Sequence, residues 1–186
     1  MDSVEIGLIG MGDMGRLYAH HFAQAGWKCN VCDVPSKYDD LKSQYAHHDN
    51  ISVLTDGVAV SRRSDLIIYS VEAASITDCV KKFGPSTKIG AIVCGQTSVK
   101  EPEINAFEKY LPEDVKIISC HSLHGPKVSP KSQPLVVIRH KASDEDMDLF
   151  LKVFDSLESK LVPLSYIEHD IITADTQAVT HLAFLR

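Results

Sequence analysis

The sequence predicts an α/β fold in which a mainly parallel β-sheet is covered by helices on both faces. Short apolar runs alternate with amphipathic stretches along most of the 186 residues, the pattern of such a sheet and its crossover helices. A glycine-rich segment separates the first apolar run from the first amphipathic stretch. Hydrophobic residues make up 44% of the chain and charged residues 24%, which is enough apolar material for one packed domain.

Eight strands and four clear helices are predicted in chain order. The strands are short apolar runs bounded by polar or turn-forming residues, at 5–9, 28–32, 51–54, 66–70, 91–94, 116–120, 135–138 and 160–164. The clearest helices cover 14–25, 75–83, 103–111 and 145–159, and the last two follow the helix-start residues Pro102 and Ser143. The proline-rich segment 126–134 is predicted to be a surface loop.

A helical pattern begins at Tyr166 and continues to Arg186 without a stop signal. Terminal helices usually close with a Gly, a Pro or a polar tail. We therefore predict one domain over residues 1–165 and, over 166–186, the first helix of an all-helical domain that is truncated here.

The segment Gly10-Met11-Gly12-Asp13-Met14-Gly15 predicts a dinucleotide-binding site, and with it a Rossmann-like doubly wound sheet. The first glycine permits a tight turn, the second lets the backbone approach a pyrophosphate, and the third allows the helix to pack closely on the strand. Free N–H groups at the start of the following helix can bind phosphate. The alternative is a glycine-rich turn with no ligand. The candidate cofactor-binding residues are Gly10, Met11, Gly12, Asp13, Met14 and Gly15.

The choice of cofactor depends on the residues after the second strand. Asp33 follows the glycine motif by roughly 20 residues, where a carboxylate binds the ribose hydroxyls of NAD and repels the extra phosphate of NADP. Ser36 and Lys37 follow at once and could bind that phosphate, although Lys37 could equally be a solvated charge. The residues alone leave NAD and NADP open. Ser70 and Val71 follow the fourth strand, and we expect them to contact the cofactor through their backbone.

Polar residues end the fifth and sixth strands, and such residues face the ligand crevice of a parallel sheet. Ser98 and Lys100 are candidates after the fifth strand, although Ser98 could instead cap a helix with Glu101 as its capping-box partner. His121 ends the sixth strand, where a neutral imidazole could accept a proton from a substrate hydroxyl. His124 is its competitor.

The final helix carries a stripe of neutral hydrogen-bonding side chains. His169, Thr173, Gln177 and either Thr180 or His181 recur at helical spacing, whereas solvated faces usually carry Lys and Glu. The stripe indicates a helix that faces a polar cleft, and an ordinary exposed face is the alternative. We take the following as candidate substrate-binding residues: Lys100, His124, His169, Gln177 and His181.

Composition argues against several other functions. The net charge of −6 does not suit a nucleic-acid binder, which needs clustered basic residues. No apolar run approaches the roughly 20 residues that span a bilayer, and the N-terminus lacks the basic start of a secretory signal, so a cytoplasmic protein without membrane contact is expected. The five cysteines are scattered, so we expect reduced thiols and no metal site.

The motifs together resemble a known family, the prephenate dehydrogenases, above all the fungal enzymes of tyrosine biosynthesis. The resemblance lies in segments 10–15, 96–100, 121–126 and 168–181 and covers essentially the whole chain. Many families share the glycine motif, whereas a Ser-Val-Lys motif followed by His-x-x-x-Gly-Pro is specific.

The resemblance implies an oxidative decarboxylation of prephenate to 4-hydroxyphenylpyruvate, with hydride transfer to NADP. By that match His121 is the catalytic histidine, and Ser98 positions its imidazole and the substrate hydroxyl. The family implies NADP although Asp33 favours NAD. It also implies a homodimer formed by a helical domain, and an Arg for the substrate carboxylates after residue 186. We therefore expect residues 1–186 to bind cofactor better than they catalyse.

Three alternatives remain open. A β-hydroxyacid dehydrogenase shares the glycine motif but gives no reason for the His-x-x-x-Gly-Pro motif. An arogenate dehydrogenase differs in one substrate group, an amine in place of a keto group. A regulator that senses NADP without turnover would be expected to lack the Ser98 and His121 pair, which is present.

Overall fold

A computed structural model describes residues 4–184 of the chain, with side chains described through residue 175. All eight predicted strands are present in one sheet with the order β3-β2-β1-β4-β5-β6-β7-β8. Every neighbouring pair is parallel except β6 and β7. The strands are β1 (Glu5–Ile9), β2 (Lys28–Cys32), β3 (Ile51–Val53), β4 (Leu66–Tyr69), β5 (Ile92–Gly95), β6 (Lys116–Ser122), β7 (Pro134–Lys141) and β8 (Lys160–Pro163).

The helices confirm the predicted alternation. They are α1 (Asp13–Gln24), α2 (Tyr38–Gln44), α3 (Gly57–Arg63), α4 (Ala73–Phe83), α5 (Lys100–Tyr110), α6 (Asp144–Phe154) and α7 (Tyr166–Phe184). The helix predicted to continue to residue 159 ends at Phe154 instead. A short 3-10 turn, Asp155–Leu157, follows, and Glu158 then adopts a φ of 51°, which turns the chain into β8.

Helices cover both faces of the sheet, as a doubly wound fold requires. One face packs against α1 and α6, where Phe150 stacks on Phe154 with ring centroids 4.1 Å apart and Tyr18 meets Phe154 edge-on. The opposite face packs against α3, α4 and α5 through a second apolar cluster that includes Val80 and Phe107. These two layers bury the central strands on both sides, so the ends of the strands are left to form a site.

The order in which the chain adds strands to the sheet reverses between β1 and β4, although these two strands are parallel. The chain adds β2 and β3 on one side of β1 and then crosses to place β4 on the other side. Ligands of open α/β sheets bind outside the carboxyl ends of the strands at such a switch point. The glycine segment and the ends of β4, β5 and β6 therefore lie around one crevice.

The end of the sixth strand differs from the prediction. Strand β6 continues to Ser122 because its antiparallel pairing with β7 extends past the predicted end, with His121 opposite Val136 and Ser122 opposite Leu135. Helix α7 begins at Tyr166, as predicted, and packs against α5. None of the helices in the described part of the chain combines the length and hydropathy that crossing a bilayer requires.

Candidate functional site

The glycine loop turns the chain from β1 into α1 by steric necessity. Gly10 has a φ of 101°, which side-chain-bearing residues rarely adopt, and a Cβ there would overlap the Ser70 carbonyl oxygen. A Cβ on Gly15 would overlap the Gly10 carbonyl oxygen. The loop therefore packs tightly against itself and against the residue that follows β4. Ser70 is held at the loop, as the sequence predicted for a residue passing the cofactor.

Gly12 faces the crevice and has open space where a Cβ would lie. It is the N-cap residue of α1 and has no side chain to cap the first N–H groups of the helix. Uncapped N–H groups at a helix N-terminus bind phosphate oxygens well. The loop thus fits a dinucleotide, because it offers donors and leaves the space beside them free.

Asp33 favours NAD and Lys37 favours NADP in the sequence analysis, but in the structure the two side chains form an ion pair. The Asp33 carboxylate accepts hydrogen bonds from the N–H groups of Met11 at 2.8 Å and Val34 at 2.7 Å, and Lys37 Nζ lies 3.2 Å away. Burial pushes the pKa of Asp33 upward, but these hydrogen bonds and the Lys37 charge outweigh burial, so its pKa is lowered. Lys37 and Ser36 are exposed beside it.

A small cavity of about 260 Å³ lies next to Asp33. Its walls include the apolar side chains of Val34, Pro35 and Phe83. Val71 lines both this cavity and the main crevice, so one elongated ligand can occupy the two spaces. The shape suits a flat apolar group beside Asp33 and a phosphate at the glycine loop.

The main crevice has a volume of about 650 Å³ and unites residues that are distant in sequence. It contains eight of the predicted site residues, from both the cofactor-binding and the catalytic candidates. The predicted residues that line it are Gly12, Asp13, Met14, Ser70, Val71, Ser98, His121 and His124. Glu72, which follows Ser70 and Val71 past the predicted cofactor site, also lines it. Gln96, Thr97 and Ser122 line it too, although none of them was a named candidate.

His121 Nδ1 lies 2.9 Å from His169 Nε2, and the two rings meet edge-on with centroids 5.1 Å apart. The pKa of His121 is lowered to about 4, chiefly by burial and in addition by the nearby charge of Lys100 and by the His169 ring, against an opposing effect of Asp170. The imidazole is therefore neutral at pH 7. In this state it can accept a proton at the nitrogen that His169 does not occupy.

His169 is buried behind His121 rather than in the crevice. Its exposed fraction is 2%, and its Nδ1 lies 2.8 Å from Asp170 Oδ1. The Asp170 carboxylate also accepts the N–H groups of Lys100 and Glu101, each at 2.8 Å. Asp170 thereby caps α5, which rules out the alternative considered for Ser98, a helix cap: the N-cap residue is Val99, and its own side chain does not cap the helix.

Lys100 does not reach the crevice, contrary to the substrate contact predicted for it. Its side chain is fully buried, and Nζ donates to the Cys120 carbonyl oxygen at 2.7 Å and lies 3.2 Å from the Glu103 carboxylate. Glu103 in turn accepts hydrogen bonds from Thr97 and Ser119. Lys100 is thus part of a buried ion pair beneath the ends of β5 and β6.

The remaining candidates differ in position. Ser98 is exposed in the crevice and hydrogen bonds no group among the residues with described side chains. His124 bonds the Gly125 carbonyl oxygen through Nδ1 at 2.9 Å, and its buried Nε2 has no partner among those residues. Gln177 and His181 lie outside the residues whose side chains are described.

Comparison with known proteins agrees with this arrangement. A family profile described as the NAD binding domain of 6-phosphogluconate dehydrogenase matches residues 5–118, which include the glycine loop and Asp33. The chain belongs to this family of NAD-binding domains. The matched residues thus include the glycine loop and Asp33 and end within β6, before His121.

Two fungal relatives extend the similarity along nearly the whole chain. A probable prephenate dehydrogenase [NADP(+)] of Schizosaccharomyces pombe is 59% identical over 184 residues, covering 99% of this chain and 42% of the relative. The prephenate dehydrogenase [NADP(+)] of Saccharomyces cerevisiae is 56% identical over 181 residues, covering 97% and 40%. These relatives confirm the resemblance predicted from the motifs. The chain spans about two fifths of their length.

Solved structures confirm the fold. The prephenate dehydrogenase of Aquifex aeolicus in complex with hydroxyphenyl propionate and NAD+ matches with a TM-score of 0.74, at 17% identity, over 92% of this chain and 63% of that chain. Identity this low shows the shared NAD-binding fold alone.

The polar residues around His121 that sequence reasoning missed come from the segment after β5 and from α7. Gln96 and Thr97 follow β5 directly, and the position of Ser98 one residue later was the signal that could have found them. Asp170 adjoins His169 in sequence but carried no signal of its capping role, because α5 begins 70 residues away. Within the side chains that are described, no group of three or more His, Cys, Asp and Glu residues is arranged to hold a metal ion.

Proposed function

We propose that the protein containing this chain is an NADP-dependent prephenate dehydrogenase of tyrosine biosynthesis. The observation that carries the proposal is the neutral imidazole of His121, which lines the same crevice as the glycine loop. The printed names of the two fungal relatives support the substrate and the cofactor. The reaction converts prephenate to 4-hydroxyphenylpyruvate with loss of carbon dioxide.

The chemistry needs a proton acceptor at the substrate hydroxyl. Bound NADP would supply the hydride acceptor. His121 would take the hydroxyl proton as the hydride leaves the same carbon, which turns the hydroxyl into a carbonyl. Loss of the ring carboxylate as carbon dioxide then leaves its bonding electrons in the ring, and a proton returns to the oxygen to give the phenol. A positioned general base is worth about two to four powers of ten in rate.

The crevice also supports the cofactor assignment. The glycine loop and the uncapped start of α1 would bind the pyrophosphate, with Asp13 and Met14 on the loop and Ser70 and Val71 beside it. Met11 is buried and would act indirectly, by holding Asp33 through its N–H. Lys37 and Ser36 are exposed next to Asp33 and would bind the additional phosphate of NADP. Because Lys37 already neutralises Asp33, the carboxylate repels that phosphate less than a free one would.

We infer in addition that the complete protein is a cytosolic homodimer. All five cysteines of the chain are free thiols, as in reducing compartments. Helix α7 exposes Ile167, Ile171 and Ile172, an apolar face that suits packing against further helices. We also propose that His124, Gln177 and His181 contact the substrate in the complete protein.

The deciding experiment is a turnover assay of the complete protein with prephenate and with arogenate, each with NADP and with NAD. The expected result is turnover of prephenate with a clear preference for NADP. Preference for arogenate would overturn the substrate, and preference for NAD would overturn the cofactor. Binding of NADP without turnover of either substrate would favour a regulator and sink the enzymatic proposal.

A further inference from the structure

Three residues from two elements form a hydrogen-bonded chain that ends at the crevice. Asp170 Oδ1 lies 2.8 Å from His169 Nδ1, and His169 Nε2 lies 2.9 Å from His121 Nδ1. Asp170 and His169 belong to α7, whereas His121 belongs to β6, so the hydrogen bond between the two histidines joins residues 48 apart in the sequence. His121 Nε2 makes no hydrogen bond to any group among the described side chains, and His121 lines the crevice.

The direction of each hydrogen bond follows from the carboxylate. An ionised Asp170 can only accept, so the hydrogen between it and His169 lies on His169 Nδ1. A neutral His169 then has a bare Nε2, which can only accept from His121 Nδ1. His121 must therefore carry its hydrogen on Nδ1, and Nε2 is left as a bare acceptor.

The Asp170 carboxylate is fixed by further hydrogen bonds. Asp170 accepts the N–H groups of Lys100 and Glu101 in addition to that of His169. Burial pushes the pKa of Asp170 upward, but the hydrogen bonds from Lys100, His169 and Glu101 outweigh burial and its pKa is lowered. It remains ionised at neutral pH, as the direction of the hydrogen bonds requires.

We propose that His169 and Asp170 are positioning residues that fix the tautomer of His121, so that its Nε2 faces the substrate hydroxyl as the proton acceptor. The inference rests on the proposed function of His121. His169 acts through His121 and is buried away from the crevice, which replaces the substrate contact predicted for it. When Nε2 takes the proton, Nδ1–H remains bonded to His169, and Asp170 stabilises the resulting positive charge.

The charged groups around His121 come from two helices. Lys100 lies beneath it from α5 and disfavours the imidazolium, whereas Asp170 from α7 favours it. Glu103 pairs with Lys100 and offsets part of its charge. Removal of the Asp170 contact would therefore leave Lys100 as the main charge acting on His121, and the pH dependence of turnover should change.

Two substitutions at His169 separate its contacts by side-chain length. The amide of His169→Asn reaches the place of Nδ1, so it can contact Asp170 but not His121. The amide of His169→Gln reaches the place of Nε2, so it can still accept from His121 Nδ1. His140→Asn is the matched control, because His140 also bonds a carboxylate, that of Glu108 at 2.7 Å, outside the site.

The test measures tautomer and turnover together in the complete protein. Nitrogen-15 NMR of the histidine rings, with His121 assigned by its loss in His121→Asn, should show the hydrogen on Nδ1 of His121. His169→Asn should lose this preference and lower kcat about 10- to 100-fold, while the KM for NADP is unchanged. His169→Gln should recover most of kcat and keep the hydrogen on Nδ1, and His140→Asn should match the parent protein in both readouts.

Several outcomes would overturn the proposal. A hydrogen on His121 Nε2 in the parent protein contradicts it directly, as does full kcat in His169→Asn. Equal loss of kcat in the Asn and Gln variants with the His121 tautomer unchanged would show a structural role only. If the parent protein does not turn over prephenate, the proposed function fails. The NMR measurement then still decides the His121 tautomer, so the two failures can be told apart.

Discussion

The glycine loop occupies one short turn between β1 and α1, whereas the surroundings of His121 are drawn from β6, α5 and α7. We refer to these as the cofactor end and the reaction end of the crevice. At the cofactor end, the requirements are steric and local, since a Cβ on Gly10 or Gly15 would overlap neighbouring backbone. At the reaction end, the proposed proton transfer depends on side chains from elements that are distant in the sequence and meet where α7 packs on α5. The comparison teaches that cofactor binding and proton transfer can be disrupted separately.

The largest effect should come from removing the imidazole of the reaction end. His121→Asn should lower kcat for prephenate about 10²- to 10⁴-fold, because the proton acceptor is lost. Binding of NADP, measured by fluorescence titration, should stay within about twofold, since the glycine loop is untouched. An equal loss of NADP affinity would show that the two ends are not separable.

The next largest effect concerns the ion pair beneath the reaction end. Lys100→Met should lower the free energy of unfolding by about 3–5 kcal/mol, because it leaves the Glu103 carboxylate buried without its partner. Urea denaturation measures the change. The double variant Lys100→Met with Glu103→Gln should recover part of the loss, and a single variant as stable as the parent would contradict the buried pair.

At the cofactor end, Gly12→Val should weaken binding without loss of stability. The position has a φ of −70° and open space for a side chain, so the fold tolerates the change, but the valine would fill the place proposed for the pyrophosphate. We expect the Kd for NADP to rise at least about tenfold, or about 1.4 kcal/mol. Gly10→Ala is the contrasting variant, because its positive φ predicts a lower unfolding temperature.

Stability should also depend on pH through His121. Its pKa is lowered to about 4 in the folded protein, so between about pH 6.5 and pH 4 the unfolded chain binds a proton there that the folded chain does not. This contribution destabilises the fold as the pH falls through that window. Denaturation midpoints at several pH values should therefore fall less steeply in His121→Asn than in the parent protein. Identical slopes would place the pKa of His121 near its ordinary value.

The smallest effect should be a shift in cofactor preference. Lys37→Ala should raise the Kd for NADP about three- to tenfold and change that for NAD little, because one exposed charge facing the additional phosphate is lost. Lys42→Ala is a suitable control, since Lys42 is an exposed lysine on the neighbouring helix. Equal effects of the two variants would remove Lys37 from the cofactor site.

The sequence predicted the cofactor end well and the reaction end only in part. Strand positions and the glycine turn follow from local apolar patterns and from glycine sterics, so they could be read without knowing the packing. His169 was predicted to contact the substrate, whereas it is buried against His121, and this burial depends on how α7 docks on α5. Local motifs offered Ser98 as a possible cap of α5 because they consider only near neighbours, whereas the acceptor comes from Asp170.

The position of Asp170 links the docking of α7 on α5 to the orientation of the His121 ring. One carboxylate holds the first turn of α5 and, through His169, the ring of His121. Anything that shifts α7 would release both contacts at once, whether a mutation or the packing of further helices on its exposed isoleucines. The glycine loop makes no contact with this carboxylate in the described structure. Under the proposed roles, the cofactor would therefore bind whether or not α7 is docked on α5. The base would be correctly oriented only when α7 is docked.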